Sequence, residues 1–460
     1  MFRIPLGKTS RYCDGVSRRS FLQVGVAGMG ALSLSQMLAF KEASAAAGGT
    51  KKDTTVILLW LDGGPGHMDL YDMKPEAPPE YRGIWRPMKT NVAGTEITEL
   101  FPLQAKIADK FSIVRSLHHN TGDHFTGGHW MLTGRGAGVG GGATAGKYPF
   151  VGSIATKATG PRQPGMPANV AVPYAMSIGL RPGYFGGNYL GPQENPFETD
   201  GDPNNDKFQV KNLGLSNQLT LDRLHDRRSL TSHFDHLRRD ADKSGKLDAI
   251  DRFDRLAYEM ISGEKARKAF DLTQEDAKVR ESYGRHTWGQ STLLARRLVE
   301  AGATFVTCHF GGWDHHWNLQ KGYENYLSKI DQLVSALFTD LAERGLYDKT
   351  LVVLCGEFSR TPRMNDGGNG GPPGSKGTPG RDHWGNAMFC LLGGGGLKGG
   401  QIVGSTDRLG TRPDSRPYTP SNLHATIYHV LGIDPQLQLL DPAGRPVSVL
   451  DDPTPISELI

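Results

Sequence analysis

Five runs of nearly unbroken apolar residues divide the chain. They are "TTVILLWLDGG" (54–64), "KFSIVRSL" (110–117), "ATFVTCHF" (303–310), "TLVVLCGEF" (350–358) and "AMFCLLGG" (387–394). Their β-branched and aliphatic content, without polar alternation, predicts strands covered on both faces. Between them the apolar positions change period. In "QSTLLARRLVEAG" (290–302) and "YENYLSKIDQLVSALFTDLAERGL" (323–346) they recur every three or four residues, the spacing of a helix with one buried face. "SNLHATIYHVLG" (421–432) starts with a serine cap and stops at glycine. Strands alternating with helices predict an α/β fold, a doubly wound, mostly parallel sheet with helices on both faces.

Other stretches break the alternation. Residues 136–214 and 366–380 are rich in Gly and Pro and read as long loops. Residues 216–285 carry dense mixed charge with periodic Leu, Phe and Ile, and read as a helical insertion. His225, His233 and His236 fall on its solvated face. No internal repeat is visible.

Composition adds a compartment. The chain has 460 residues and a net charge of +4. Arg3, Lys8, Arg11, Arg18, Arg19 and Lys41 stand against Asp14 and Glu42 in the first 45 residues, which accounts for the whole excess. The rest is balanced, so no nucleic-acid partner is inferred. In "SRRSFLQ" the Arg18–Arg19 pair precedes Phe21–Leu22, a weakly apolar stretch follows, and "ASAAAGG" offers small residues for cleavage. Residues 1–45 resemble a twin-arginine signal peptide, which implies the twin-arginine export machinery and a periplasmic or cell-surface destination. Contact with a membrane is expected only through an uncleaved signal. Residues 46–460 then form the mature domain. Cys308, Cys355 and Cys390 sit inside apolar runs and read as small buried hydrophobes rather than a disulfide framework.

Polar clusters gather beside the predicted strands. Asp62, His67 and Asp69 follow the first, and His118, His119, Asp123, His124 and His129 follow the second. Asp314, His315 and His316 come after 303–310, Glu357 closes 350–356, and Asp382 with His383 precedes 387–392. Ligands of open α/β sheets collect outside the carboxyl ends of the strands. Carboxylates and imidazoles drawn from several strands suit a divalent ion, Zn, Mn, Fe, Mg or Ca. Each histidine alone also reads as a hydrogen-bonded loop residue. Arg115, Arg135 and Arg360 lie near these clusters, as anion binders or as structural ion pairs. Trp313, Trp317 and Trp384 flank the histidines, as core residues or as a stacking wall.

The segments "ILLWLDGGPGHMDLYDMKPEAP", "KFSIVRSLHHNTGDHFTGGHWMLTGR", "RRLVEAGATFVTCHFGGWDHHWN", "GEFSRTPRMN" and "GRDHWGNAMFCLLGGGGLKGGQIVGSTD" resemble an exported bacterial family, domain-of-unknown-function family 1501. That family is similar to the alkaline phosphatase/sulfatase superfamily. The resemblance covers about residues 50–460 and implies a metal site acting on phosphate or sulfate esters, small or carried on polysaccharides. By position it implies Asp62, Asp314, His316, Glu357 and His383 as metal ligands. His67, Asp69, His118, His119, His315 and Asp382 become supporting residues. Sulfatases place a Cys or Ser nucleophile on a helix ending in Thr-Gly-Arg. Here "LTGR" ends at Arg135, and nine residues before Thr133 stands His124. A formylglycine nucleophile is therefore not expected. His124 is left as ligand, base or nucleophile, with Thr126 and Thr121 nearby, or else water activated by the ion attacks. The competing expectation is a non-catalytic exported protein that binds metal or glycans through a decayed site.

Overall fold

The computed structural model describes residues 53–136, 147–210, 258–260, 263–368 and 371–460. The twin-arginine segment and residues 216–257 of the charged stretch, with His225, His233 and His236, lie outside the described residues. The remainder of that stretch includes the short helices Glu264–Phe270 and Ala277–Ser282.

Eight strands form one sheet. They are β1 (Thr55–Asp62), β2 (Ser112–Leu117), β3 (Asn169–Val172), β4 (Phe197–Glu198), β5 (Phe305–Gly311), β6 (Thr350–Cys355), β7 (Met388–Gly393) and β8 (Ile402–Val403). Their spatial order is β8-β2-β7-β6-β1-β5-β3-β4. All neighbouring pairs are parallel except the two made by β7, which runs against both β2 and β6. β1 lies near the middle, with Trp60 opposite His309 on one side and Cys355 on the other. All eight of its residues are buried, which is why its sequence shows no polar alternation.

Alternate side chains point to opposite faces. Ile57, Leu59 and Leu61 join Val306, Cys308 and Phe310 in one apolar cluster with Leu294, Leu298, Leu333 and Leu337. Those leucines come from helices Thr287–Ala301 and Leu319–Glu343. On the other face Trp60 meets Phe185 edge-on, and Phe305 meets Phe150, next to helix Val151–Thr159. Each such burial is worth about 1.5–3 kcal/mol, so the sheet is held between two apolar layers.

The structure corrects the reading of 136–214 as loop. Helix Val151–Thr159 and strands β3 and β4 lie there, the helix packing on β3 and β5. Helix Pro420–Leu431 begins earlier than the serine cap suggested. Asn422 Oδ1 accepts from Thr419 N at 2.8 Å, and Pro420 fills the first position, where a missing N–H costs nothing. Among the described residues no helix is long and apolar enough to cross a membrane.

The reversed strand gives the carboxyl edge of the sheet its composition. Because β7 is antiparallel, the segment entering it meets the carboxyl ends of β1, β2, β5 and β6 at one edge of the sheet. Asp382 and His383 precede a strand, yet they reach the same edge as groups that come after one.

Candidate metal centre

Three imidazoles converge on Asp314 at that edge. His316 Nε2 lies 3.0 Å and His383 Nε2 3.1 Å from Asp314 Oδ1, and His124 Nε2 lies 3.4 Å from Oδ2. The Nε2 atoms of His316 and His383 are 3.0 Å apart. Ligand atoms of His124, Asp314 and His383 all fall within 4.8 Å of one another. Donors about 2.0–2.2 Å from a zinc-like ion sit roughly 3–3.5 Å from each other, which matches most of these spacings.

The far side of each ring is held. His124 Nδ1 lies 2.7 Å from Glu357 Oε1, His316 Nδ1 lies 2.8 Å from Asp382 Oδ1, and His383 Nδ1 lies 2.7 Å from the Gly122 carbonyl. A carboxylate or carbonyl only accepts, so each Nδ1 carries a proton and donates. In the neutral ring each Nε2 then turns a lone pair inward. His124 Nε2 is buried and faces Asp314 Oδ2 at 3.4 Å. Metal-binding histidines are oriented in this way by an outer acceptor. The residues present therefore fit a divalent ion held by His124, Asp314 and His383, with His316 bordering it through Asp314 and His383.

The electrostatics agree. Burial opposes charge on Asp314, but hydrogen bonds from His124, His316 and His383 and the Arg360 guanidinium hold its carboxyl well below the usual range. Burial also opposes charge on His124, yet its bonds to Asp314 and Glu357 lift its pKa to about 9. The bond to Asp314 raises His316 as well, whereas burial lowers His383. Both shifts push His124 and His316 toward the protonated form, which with Arg360 complements the Asp314 carboxylate.

Local sequence brings these segments together. Asp123 caps helix His124–Thr133 by accepting from Thr126 N at 2.8 Å, which fixes His124 in the first turn. Gly63 ends β1 at φ +109°, and its N–H donates to both oxygens of Glu357, at 2.9 and 3.1 Å. A Cβ there would lie 2.6 Å from Asp314 N, so only glycine lets the ends of β1 and β5 touch. Gly63→Ala is accordingly expected to cost about 1–3 kcal/mol from backbone strain alone and to weaken metal binding as Asp314 moves. Urea unfolding and metal titration test this, and wild-type values in both would show that the close approach is dispensable.

Other residues singled out in the sequence stand elsewhere. Asp62 is buried with its oxygens engaged by Ser177 Oγ at 2.9 Å, Ile178 N at 2.8 Å and His309 Nε2 at 3.1 Å, and none of the three imidazoles reaches it. Glu357 holds His124 from behind rather than facing the centre. Thr126 Oγ1 is bonded to Asp123 at 2.7 Å, away from the imidazoles. Arg360 is fully buried. It pairs with Asp314 Oδ1 at 2.6 Å and donates to the carbonyls of Gly63 and Gly64, so it secures the ligand loop. Arg115 donates to Glu96 O at 2.9 Å, and Arg135 donates to Ser448 O at 2.8 Å and pairs with Asp451, both outside the centre.

His119 donates from Nε2 to Glu357 O at 2.7 Å, and burial lowers its pKa to about 4. His118 lines a surface groove with Trp384 and Arg412. His315 packs against Tyr323 and Tyr326, turned away from its neighbour His316. His67 bonds Ser359 and Gly410, and Asp69 pairs with fully buried Arg381. Trp313 is core, stacked on Trp288. Sequence reasoning missed Ser177 and His309 around Asp62. A polar histidine in the otherwise apolar run 303–310 was the one available signal.

No curated protein matches the sequence. Among solved structures the chain is similar to the lipoteichoic acid synthase LtaP from Listeria monocytogenes, at 9% identity over 88% of this chain and 76% of that one, TM-score 0.37. It is similar to the sulfatase PsFucS1 from Pseudoalteromonas sp., at 13% identity over 86% and 71%, TM-score 0.35. It is also similar to a protein in the alkaline phosphatase superfamily from Vibrio parahaemolyticus, at 10% identity over 83% and 67%, TM-score 0.38. Likenesses this shallow carry no weight for function, and the α/β assignment rests on the sheet itself. The family match is of another kind. Residues 53–460 match the family described as "Protein of unknown function (DUF1501)", and the chain belongs to that family.

Proposed function

We propose that this protein is an exported, metal-dependent hydrolase of phosphate or sulfate esters. One observation carries the metal dependence: three histidines, each anchored through Nδ1, turn Nε2 toward the single carboxylate of Asp314. The ester class follows the resemblance of its motifs to the alkaline phosphatase/sulfatase superfamily. Export follows the twin-arginine segment.

His124, Asp314 and His383 would hold the ion, bordered by His316. When bound, it supplies Lewis-acid polarisation of the ester and activation of water at neutral pH. Glu357, Asp382 and the Gly122 carbonyl keep the three rings aimed, so little reorganisation is needed on binding. Arg360 fixes Asp314 and offsets part of its charge. Thr126 is not offered as a nucleophile, because its hydroxyl belongs to the helix cap.

The test is a panel of aryl phosphates and aryl sulfates with the purified mature protein. Turnover is expected only with a divalent ion present, and is expected to be lost on chelation and restored on adding the ion back. A second reading, a metal-holding protein without catalysis, is favoured by the engagement of Arg115, Arg135 and Arg360 with other partners. Stoichiometric metal without turnover across the panel would establish it instead.

A further inference from the structure

β6 and β7 run antiparallel, with Val352 opposite Gly393, Val353 opposite Leu392 and Leu354 opposite Leu391. The next step of that register sets Cys355, the last residue of β6, opposite Cys390. An irregularity beside Cys390 falls on β2, which spends three steps, Leu117 to Val114, against two of β7, Met388 to Cys390. β7 itself therefore stays regular as far as Cys390.

The faces of the sheet agree with this pairing. Leu354, Phe389 and Leu391 belong to the apolar cluster that also holds Ile57 and Leu59. Side chains alternate along a strand, so Cys355 and Cys390 both point into the opposite layer, on the side of Trp60, which stands across from Cys355 in β1. Directly opposite residues of an antiparallel pair have Cα atoms about 4.5–5.5 Å apart. That lies inside the span of about 4.4–6.8 Å that a disulfide bridges. Burial pushes the Cys390 thiol up, and the neighbouring Cys355 adds to the rise. Cys308 stands apart. It lies in the first layer, with Sγ 3.5 Å from the Ser291 carbonyl.

We propose that Cys355 and Cys390 are a redox pair that closes a cross-strand disulfide when the chain meets a disulfide oxidant. Both cysteines are free in this structure, which is the reduced form. The thiolate of one attacks a sulfur of the oxidant and expels a thiolate, leaving a mixed disulfide. The thiolate of the other then attacks the protein-bound sulfur and expels the second. One S–S bond breaks and one forms, and the two electrons and two protons lost by the cysteines end on the oxidant as two thiols. Cys355 is 2% exposed and Cys390 0%, so attack waits for β7 to part from β6. Cys355 stands two residues before Glu357, and Cys390 seven after His383. The bond thus staples the two strands whose ends lead to the candidate centre. It is independent of the hydrolase reading.

The test uses the mature protein, residues 46–460, whose cysteines are Cys308, Cys355 and Cys390. It is reduced, freed of reductant and held with oxidised glutathione, with and without urea below the unfolding transition. Thiols are counted in denaturant, and linked peptides are identified by mass spectrometry. The count is expected to fall from three to one, with Cys355 joined to Cys390, and to fall faster in urea. The oxidised wild type should melt about 5 °C above the reduced form. Cys308→Ser should still form the bridge and show the same rise. Cys355→Ser and Cys390→Ser should form no internal bridge and melt alike before and after exposure. Three thiols surviving exposure in urea, a bridge that includes Cys308, or glutathione adducts on Cys355 and Cys390 without a bridge would overturn the pair. The wild-type count decides the matter even where a variant fails to fold.

Discussion

Asp314→Asn is expected to come through purification without a divalent ion, where the wild type is expected to retain one in stoichiometric amount, and to lose ester turnover by about 10³-fold or more. The magnitude follows from the several kcal/mol that a Lewis acid contributes to a developing charge, each 1.36 kcal/mol being tenfold in rate. Asparagine is the right probe because its oxygen can still accept from the fully buried Arg360, which also keeps the carbonyls of Gly63 and Gly64. The side chain that all three Nε2 atoms approach becomes neutral while the fold is spared. Stability gives a second readout. At an ion concentration a hundred times Kd, the wild type should gain about 2.7 kcal/mol, and the variant nothing. Glu357→Gln and Asp382→Asn, which loosen the rings from behind, should weaken metal binding about 10–100-fold and leave turnover at saturating metal much less affected. Retention of metal by Asp314→Asn at the wild-type level would rule out this centre.

Asp69→Ala should be the most destabilising single change near the site, by roughly 3–5 kcal/mol. Arg381 and Asp69 are both fully buried and paired at 2.9 Å. Removing the carboxylate leaves the guanidinium with only the carbonyls of Thr361, Pro362 and Arg82. The loss is a large share of the 5–15 kcal/mol typical of a folded domain. Because Asp382 and His383 follow Arg381 directly, metal affinity should fall too. Urea unfolding measures the first effect. Replacing both partners together, with Asp69→Leu and Arg381→Met, should recover most of the loss, since a buried pair is worth little against apolar groups of similar volume. A change below 1 kcal/mol in Asp69→Ala would show that the pair is not a keystone of this region.

How much of this was legible in the sequence depended on burial. Strands β1, β2, β5, β6 and β7 were readable because both faces are covered, leaving unbroken apolar runs. β3 and β4 were not, because four and two residues among glycines and prolines carry too little pattern. The clusters that build the centre could be listed from the sequence, but the part each residue plays could not. Glu357 sits at a strand end like a ligand, and only the structure shows its carboxylate engaged by the His124 ring. Asp62 ends the central strand, yet its oxygens are already taken by Ser177, Ile178 and His309. Arg360 has the chemistry of an anion binder, but the carbonyls of Gly63 and Gly64 claim it. In each case the deciding fact is a partner more than a hundred residues away.

The reversed strand also sets an order of events. β7 is made late in the chain, yet it slots between β2 and β6, which are made earlier. Until residues 388–393 emerge from the ribosome, the sheet has an open seam and His383 has not joined the other candidate ligands. Pairings this distant in sequence form slowly. Ion capture would then act as a checkpoint on synthesis, since a chain cut short before His383 lacks a candidate ligand and leaves two strand edges unpaired.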